Sequence, residues 1–168
     1  MDETERACLL ANLNELQQTI RAYDTKAQIM GIGFLFSIGM IGNFLSGLEL
    51  ERNLGIGYLL VGFVLLLGPV ALFGAVLHPS RKSNPALAER HPDVRRCFYY
   101  MGEGGPDLED YLADVENADW RREIVYEIGK LSALRDLKRL RFLRAMWAAG
   151  FSFAVILLAN ALKVGGVT

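Results

Sequence analysis

An all-α integral membrane protein is the fold class this sequence predicts, with three transmembrane helices whose first and last members extend into a small cytoplasmic helical domain. Three observations carry that prediction. Three blocks of the 168-residue chain hold no charged side chain: 22 residues from Ala27 to Leu48, 24 from Leu54 to Leu77 and 18 from Ala145 to Leu162. As helices they reach the length needed to cross a hydrocarbon layer about 30 Å thick, the last at the short end of the range. Lysine and arginine are spread unevenly around these blocks, and the apolar residues ahead of the first block recur with helical spacing. The apolar share of 52 % and the mean hydropathy of +0.22 are high for a soluble domain of this length. The net charge of -1 hides the asymmetry, and no nucleic-acid partner is expected.

Before the first block, Leu9, Leu13, Leu16, Ile20, Tyr23, Ala27 and Met30 follow at spacings of 4, 3, 4, 3, 4 and 3. That is one helical stripe passing from water into lipid without losing phase. Asn12, Asn14, Gln17, Gln18 and Arg21 occupy the other faces. Residues 1–26 are therefore expected as an amphipathic cytoplasmic helix continuous with the first span, 27–48. Its stripe requires a partner, either the long last helix of the same chain or a neighbouring subunit. The N-terminus is acidic and no small-residue cleavage site ends the first block, so that block is expected to be retained.

The first span carries Gly33-x-x-x-Ser37 and Gly42-x-x-x-Ser46, small residues at a spacing that lets helix backbones approach closely in lipid. Asn43 serves either as interhelical glue or as a pore-lining group. A tight turn, 49–53, returns the chain into the second span, 54–77, so residues 27–77 are expected as an antiparallel hairpin. Pro69 lies mid-span; it lacks a backbone donor and clashes with the preceding turn, which predicts a kink that is either a plain bend or a hinge.

Of the 18 Lys and Arg residues, three precede the first span, Arg52 lies in the turn, thirteen fall between His78 and Arg144, and Lys163 follows the third span. Both heavily basic regions should face the cytoplasm. This orientation places residues 78–144 inside, the third span at 145–162 and the tail 163–168 outside, in a multi-pass membrane protein with a cytoplasmic N-terminus. Cys8 and Cys97 then share the reducing side, which argues against a disulfide, and with His78 and His91 they match no metal-ligand spacing.

Within 78–144, Pro106 can open a short helix on which Leu108, Tyr111, Leu112 and Val115 share a face. Asp119 is a plausible N-cap for a last helix running to about Leu162. In its wet half, Leu134, Leu137, Leu140 and Leu143 step by three and sweep a broad apolar arc, with Arg135, Lys138 and Arg139 opposite, as expected of a helix wedged between two neighbours. Seven carboxylates from Glu103 to Asp119 fit no calcium loop and read as a solvated face. No nucleophile, base and orienter occur together, so no catalytic residues and no enzymatic activity are expected.

Two charged groups have competing readings. Asp24 and Lys26 stand at the cytoplasmic edge of the first span, either as hydrated interfacial residues or with Asp24 paired to Arg141 or Arg144 of the last helix, fixing the register of the long helices and coupling signal to membrane. Arg95 and Arg96 beside Phe98, Tyr99 and Tyr100 combine cations for phosphate with aromatic faces for a base. The same types also describe an aromatic core next to lipid headgroups. Gly102 to Gly105 lack the Lys-Ser or Lys-Thr of a phosphate loop and read as a turn.

The chain resembles the transmembrane effectors of the bacterial Pycsar antiphage systems. The likeness is carried by Asp24-Thr25-Lys26-Ala27 opening the first span, by the two-span hairpin, by Phe98-Tyr99-Tyr100-x-Gly102 followed by Glu109-Asp110-Tyr111-Leu112, and by the long basic helix from about Arg121 into the final span. The resemblance implies a membrane effector that responds to a cyclic pyrimidine nucleotide, cyclic CMP or cyclic UMP, made by a partner cyclase after phage infection, and then disrupts the inner membrane in abortive infection. It implies no cofactor beyond that ligand. On this basis the signal is expected near Arg95 to Gly102 or along Arg135, Lys138 and Arg139, with homo-oligomers of the spans opening or deforming the bilayer. A non-lytic scaffold or receptor and a small ion channel are the rival classes.

Overall fold

The computed structural model describes residues 2–46, 56–78, 94, 97 and 108–164, with the side chains of 40–46, 56–59, 108, 110, 160 and 162–164 left aside. The described residues are all-α, without strands: α1 is Glu3–Ser46, α2 Ile56–Leu77, α3 Leu108–Glu116 and α4 Trp120–Val164. Local chemistry accounts for the ends. Glu3 and Glu5 lie in the first turn of α1, where carboxylates meet the positive end of the helix dipole. Asp119 caps α4: its Oδ1 accepts from the Arg121 and Arg122 backbone N–H groups at 3.1 and 3.5 Å. Pro69 lies inside α2, which continues as one helix to Leu77.

The chain divides into two compact units, Met1–Arg21 with Ser80–Leu137 and Ala22–Pro79 with Lys138–Thr168. Helices α1 and α4 each contribute to both. In the first unit, Leu13 and Ile20 of α1 pack with Leu131 of α4, flanked by Leu16, Ile128 and Leu134. The N-terminal stripe thus finds its partner in the last helix of the same chain. An exposed ion pair at 2.9 Å between Glu5 and Arg121 joins the same two helices nearer their starts.

In the second unit, Ala27, Phe34, Phe73, Val76, Ala145 and Ala149 form the core, with Ile38, Val70, Phe142, Met146 and Phe153 against it. Phe34 and Phe153 meet edge to face at 5.1 Å between ring centroids, and Phe142 lies between Tyr23 and Phe73 at 6.0 and 6.4 Å. These contacts run α1 and α4 parallel, while α2 lies antiparallel to both.

One line of buried positions repeats every seven residues on each long helix. On α1 it is Leu13, Ile20, Ala27 and Phe34; on α4 it is Ile124, Leu131, Lys138, Ala145 and Ser152, with Glu123, Tyr126, Glu127 and Ala149 buried beside it. A repeat of seven keeps one seam of a helix on its neighbour. Two expectations are corrected by this register. Leu137, Leu140 and Leu143 are exposed, because leucines spaced by three drift about 60° per step and leave the seam; α4 is not buried along a broad leucine arc. On α1 the inward position after Ala27 is Gly31 rather than Met30, which is exposed. Leu112 of α3 is exposed as well.

Among the described residues, two helices are long and apolar enough to cross a membrane, α2 over Leu60–Leu77 and α4 within Trp120–Ala159, and in each the apolar 18-residue window is only 17 % buried within the protein. A soluble core helix would be mostly buried; here Phe36, Phe63, Val64, Trp147, Phe151 and Leu158 stand outward, a surface suited to lipid. The first span expected over 27–48 runs beyond the described side chains.

Candidate functional site

On α1, Asp24 stands four residues after Ile20 and three before Ala27, beside the heptad line that carries both. Lys138 occupies the matching line on α4, between Leu131 and Ala145, and is 5 % exposed. Its Nζ donates to Asp24 Oδ1. The partner of Asp24 is therefore Lys138 and neither Arg141 nor Arg144. Arg141 is turned to another helix and Arg144 is exposed. The lysine stem is buried while its ammonium meets the carboxylate, the usual way such a side chain is accommodated in a core. Lys26 is exposed, with its Nζ 6.0 Å from the Tyr23 ring centroid.

Two further side chains of α4 hold the backbone of α2. Arg141 Nη1 donates to the Ala75 carbonyl at 3.0 Å. That carbonyl lies in the last turn of α2, where carbonyls have no partner within the helix and the dipole favours a cation. The Ser152 hydroxyl donates to the Leu65 carbonyl at 2.7 Å. Leu65 is four residues before Pro69, so its carbonyl is the one that the missing proline N–H leaves without a helical partner. Ser152 is 1 % exposed, and its hydrogen bond replaces the one that α2 cannot make.

In the other unit, Cys97 is held from two sides. Its backbone N–H donates to Glu123 Oε2 at 3.1 Å, and its carbonyl accepts from the Tyr111 hydroxyl at 2.9 Å. The Cys97 thiol approaches the Asp114 carbonyl at 3.7 Å. Glu127, one turn after Glu123 and also buried, bonds Lys130 Nζ at 3.3 Å. Burial pushes the Glu127 carboxyl above its ordinary value; Lys130 opposes the rise and the Glu123 charge adds to it. These buried carboxylates on α4 belong to no motif visible in the sequence. Their only outward sign is two glutamates at a spacing of four with apolar residues around them.

Other expected positions fall as follows. Arg95, Arg96, Phe98, Tyr99, Tyr100 and Gly102 lie outside the described residues, as do the side chains of Gly42, Asn43 and Ser46. Arg135 pairs with Asp136 at 2.8 Å and Arg139 is exposed, whereas Lys138 is buried against Asp24. Ser37 donates back to the Gly33 carbonyl of its own helix at 2.9 Å, and a Cβ on Gly33 would meet nothing within 4 Å. Within the chain a close approach is found at Gly31, whose added Cβ would lie 3.4 Å from Phe73 Cβ. Pro69 is buried, four residues after the Leu65 whose carbonyl accepts from Ser152.

A family model, the Pycsar effector protein domain (PycTM), matches residues 8–165. No curated protein and no solved structure matches the chain significantly.

Proposed function

The chain belongs to the Pycsar effector protein family, a family of non-enzymatic membrane effectors of antiphage defence, and from that premise we propose that it resides in the bacterial inner membrane with its N-terminus in the cytoplasm and is triggered there by cyclic CMP or cyclic UMP. Binding of the nucleotide changes how α1 and α4 pack, homo-oligomers of three spans per chain form, and membrane integrity fails. We assign the ligand to Arg95, Arg96, Phe98, Tyr99, Tyr100 and Gly102, aided by Arg135 and Arg139, because guanidinium groups suit a cyclic phosphate and aromatic faces suit a pyrimidine.

The observation that carries this reading is that α1 and α4 are each a single helix, 44 and 45 residues long, and each builds the core of both compact units. A ligand with different affinity for two packings of such helices shifts the population of the membrane unit with that of the other. Asp24, Lys138, Arg141 and Ser152 are the groups through which α4 would pass that change to α1 and α2. The experiment is co-expression with a pyrimidine cyclase, recording membrane potential with a voltage-sensitive dye. Depolarisation that needs both the cyclase and this chain is expected; an unchanged potential with both present would remove the mechanism.

A further inference from the structure

Two members of the buried heptad line on α4 are polar. Lys138 meets a carboxylate of α1; Ser152 meets the backbone carbonyl of Leu65 in α2, the acceptor released by Pro69. No buried side-chain nitrogen or oxygen among the described residues lacks a partner, so these two polar groups are satisfied within the chain. Any assembly that separates α2 from α4 exposes the Leu65 carbonyl to hydrocarbon, where a backbone group without a partner is costly.

Resting on the proposed membrane-disrupting function, we propose that the Ser152–Leu65 hydrogen bond is the latch that holds the resting packing of α2 on α4, and that Pro69 is present to create its acceptor. An uninterrupted α2 would use the Leu65 carbonyl within its own ladder and give Ser152 much less to hold. With proline at 69, the Ser152 hydroxyl supplies the hydrogen bond that holds the middle of α2 to α4, while Arg141 holds its end. The latch lies toward the middle of α2, ten residues from the Arg141 contact at Ala75, so a shift or rotation of α4 that keeps the Arg141 end in place can still break it.

The test uses the full chain reconstituted in phosphatidylethanolamine–phosphatidylglycerol vesicles loaded with a self-quenched dye, with trigger-free release as the readout. Ser152→Ala is expected to raise the release rate about tenfold, the shift in a two-state equilibrium that follows from losing one neutral hydrogen bond in one state. Ser152→Thr keeps the hydroxyl and should return the rate toward that of the parent. In a Pro69→Ala background the residue at 69 donates to Leu65 itself, and changing Ser152 should no longer alter release. Thermal unfolding of the parent, Ser152→Ala, Pro69→Ala and the double variant gives a double-mutant cycle for the bond. Coupling between positions 69 and 152 in both readouts supports the latch. Coupling in unfolding alone, with equal release from all variants while cyclic CMP or cyclic UMP still opens the parent, makes the bond merely structural and overturns the latch but not the function. Absence of coupling in unfolding overturns the bond itself. Vesicles that stay sealed in every case, with either nucleotide at hand, overturn the proposed function and the latch with it.

Discussion

Lys138 and Asp24 form an asymmetric pair: the lysine side chain keeps 7 % of its surface and the aspartate 33 %. The two partners are therefore not equivalent in what their loss leaves behind. Without Asp24, a buried ammonium has no counter-charge; without Lys138, a carboxylate can still turn to water.

Asp24→Asn should destabilise the protein by about 3 kcal/mol, the lower end for breaking a buried pair, and Lys138→Met by roughly 1 kcal/mol or less, since methionine fills much of the lysine volume. The double change Asp24→Leu with Lys138→Met should lie close to the parent, because a well-packed apolar pair replaces a buried ionic one at little cost. Thermal unfolding of the full chain in detergent checks all three. Equal losses for the two single variants would contradict the asymmetry.

Glu127 makes stability depend on pH in a definite direction. Its carboxyl is raised in the folded chain from the ordinary 4.5, chiefly by burial, so the folded state holds the proton more tightly than the unfolded state. Its favourable contribution is complete below the unfolded value and is lost as pH rises through the folded one. Glu127→Gln keeps an acceptor for Lys130 and cannot ionise. The variant should gain stability over the parent at pH 8 and lose that advantage near pH 4, in melts taken across the range. A gap that widens toward acid would show the opposite shift.

Much of this architecture is legible in the chain because it is set by local chemistry. Asp119 announces the start of α4, the charge-free blocks outline the apolar helices, and Leu13, Leu16 and Ile20 mark the face of α1 that is buried. What could not be read depends on which helix lies opposite. Lys138 looks like part of a solvated face next to Arg135 and Arg139, and the leucines spaced by three draw attention away from the line of seven that places it inside. Ser152 resembles any small residue of a span until Leu65 and Pro69 are seen across from it. Gly31 and Gly33 are alike in sequence, and only the position of Phe73 separates them. From Arg95 to Gly102 the residue types alone suit either a nucleotide or a lipid-facing core, and these positions lie outside the described residues.

The contrast between the glycines is itself testable. A Cβ at Gly31 would just touch Phe73, so Gly31→Ala should be tolerated, while the branched side chain of Gly31→Val must displace the ring and cost about 1–3 kcal/mol, the range for overpacking. Gly33 faces open space within the chain. Gly33→Val should leave stability within about 0.5 kcal/mol, as is usual for exposed positions. Unfolding temperatures in detergent at low protein concentration separate the cases. A large loss at Gly33 would mean that another surface covers it.

Arg141 acts where α2 ends. The His78 backbone N–H still bonds the Gly74 carbonyl at 3.1 Å, and the next carbonyl, Ala75, is taken by Arg141. A guanidinium here satisfies an orphan acceptor and opposes the negative end of the helix dipole at once, so Arg141→Ala should cost about 1–2 kcal/mol. Arg141→Lys keeps the charge but presents a shorter, pointlike donor and should recover only part of that. The loss is local: fraying of the last turn should speed hydrogen exchange at the His78 amide by about tenfold, the factor for 1.4 kcal/mol, while amides near Leu65 keep their rates. Equal acceleration along the whole of α2 would place the Arg141 contribution in the packing of the helix rather than at its end.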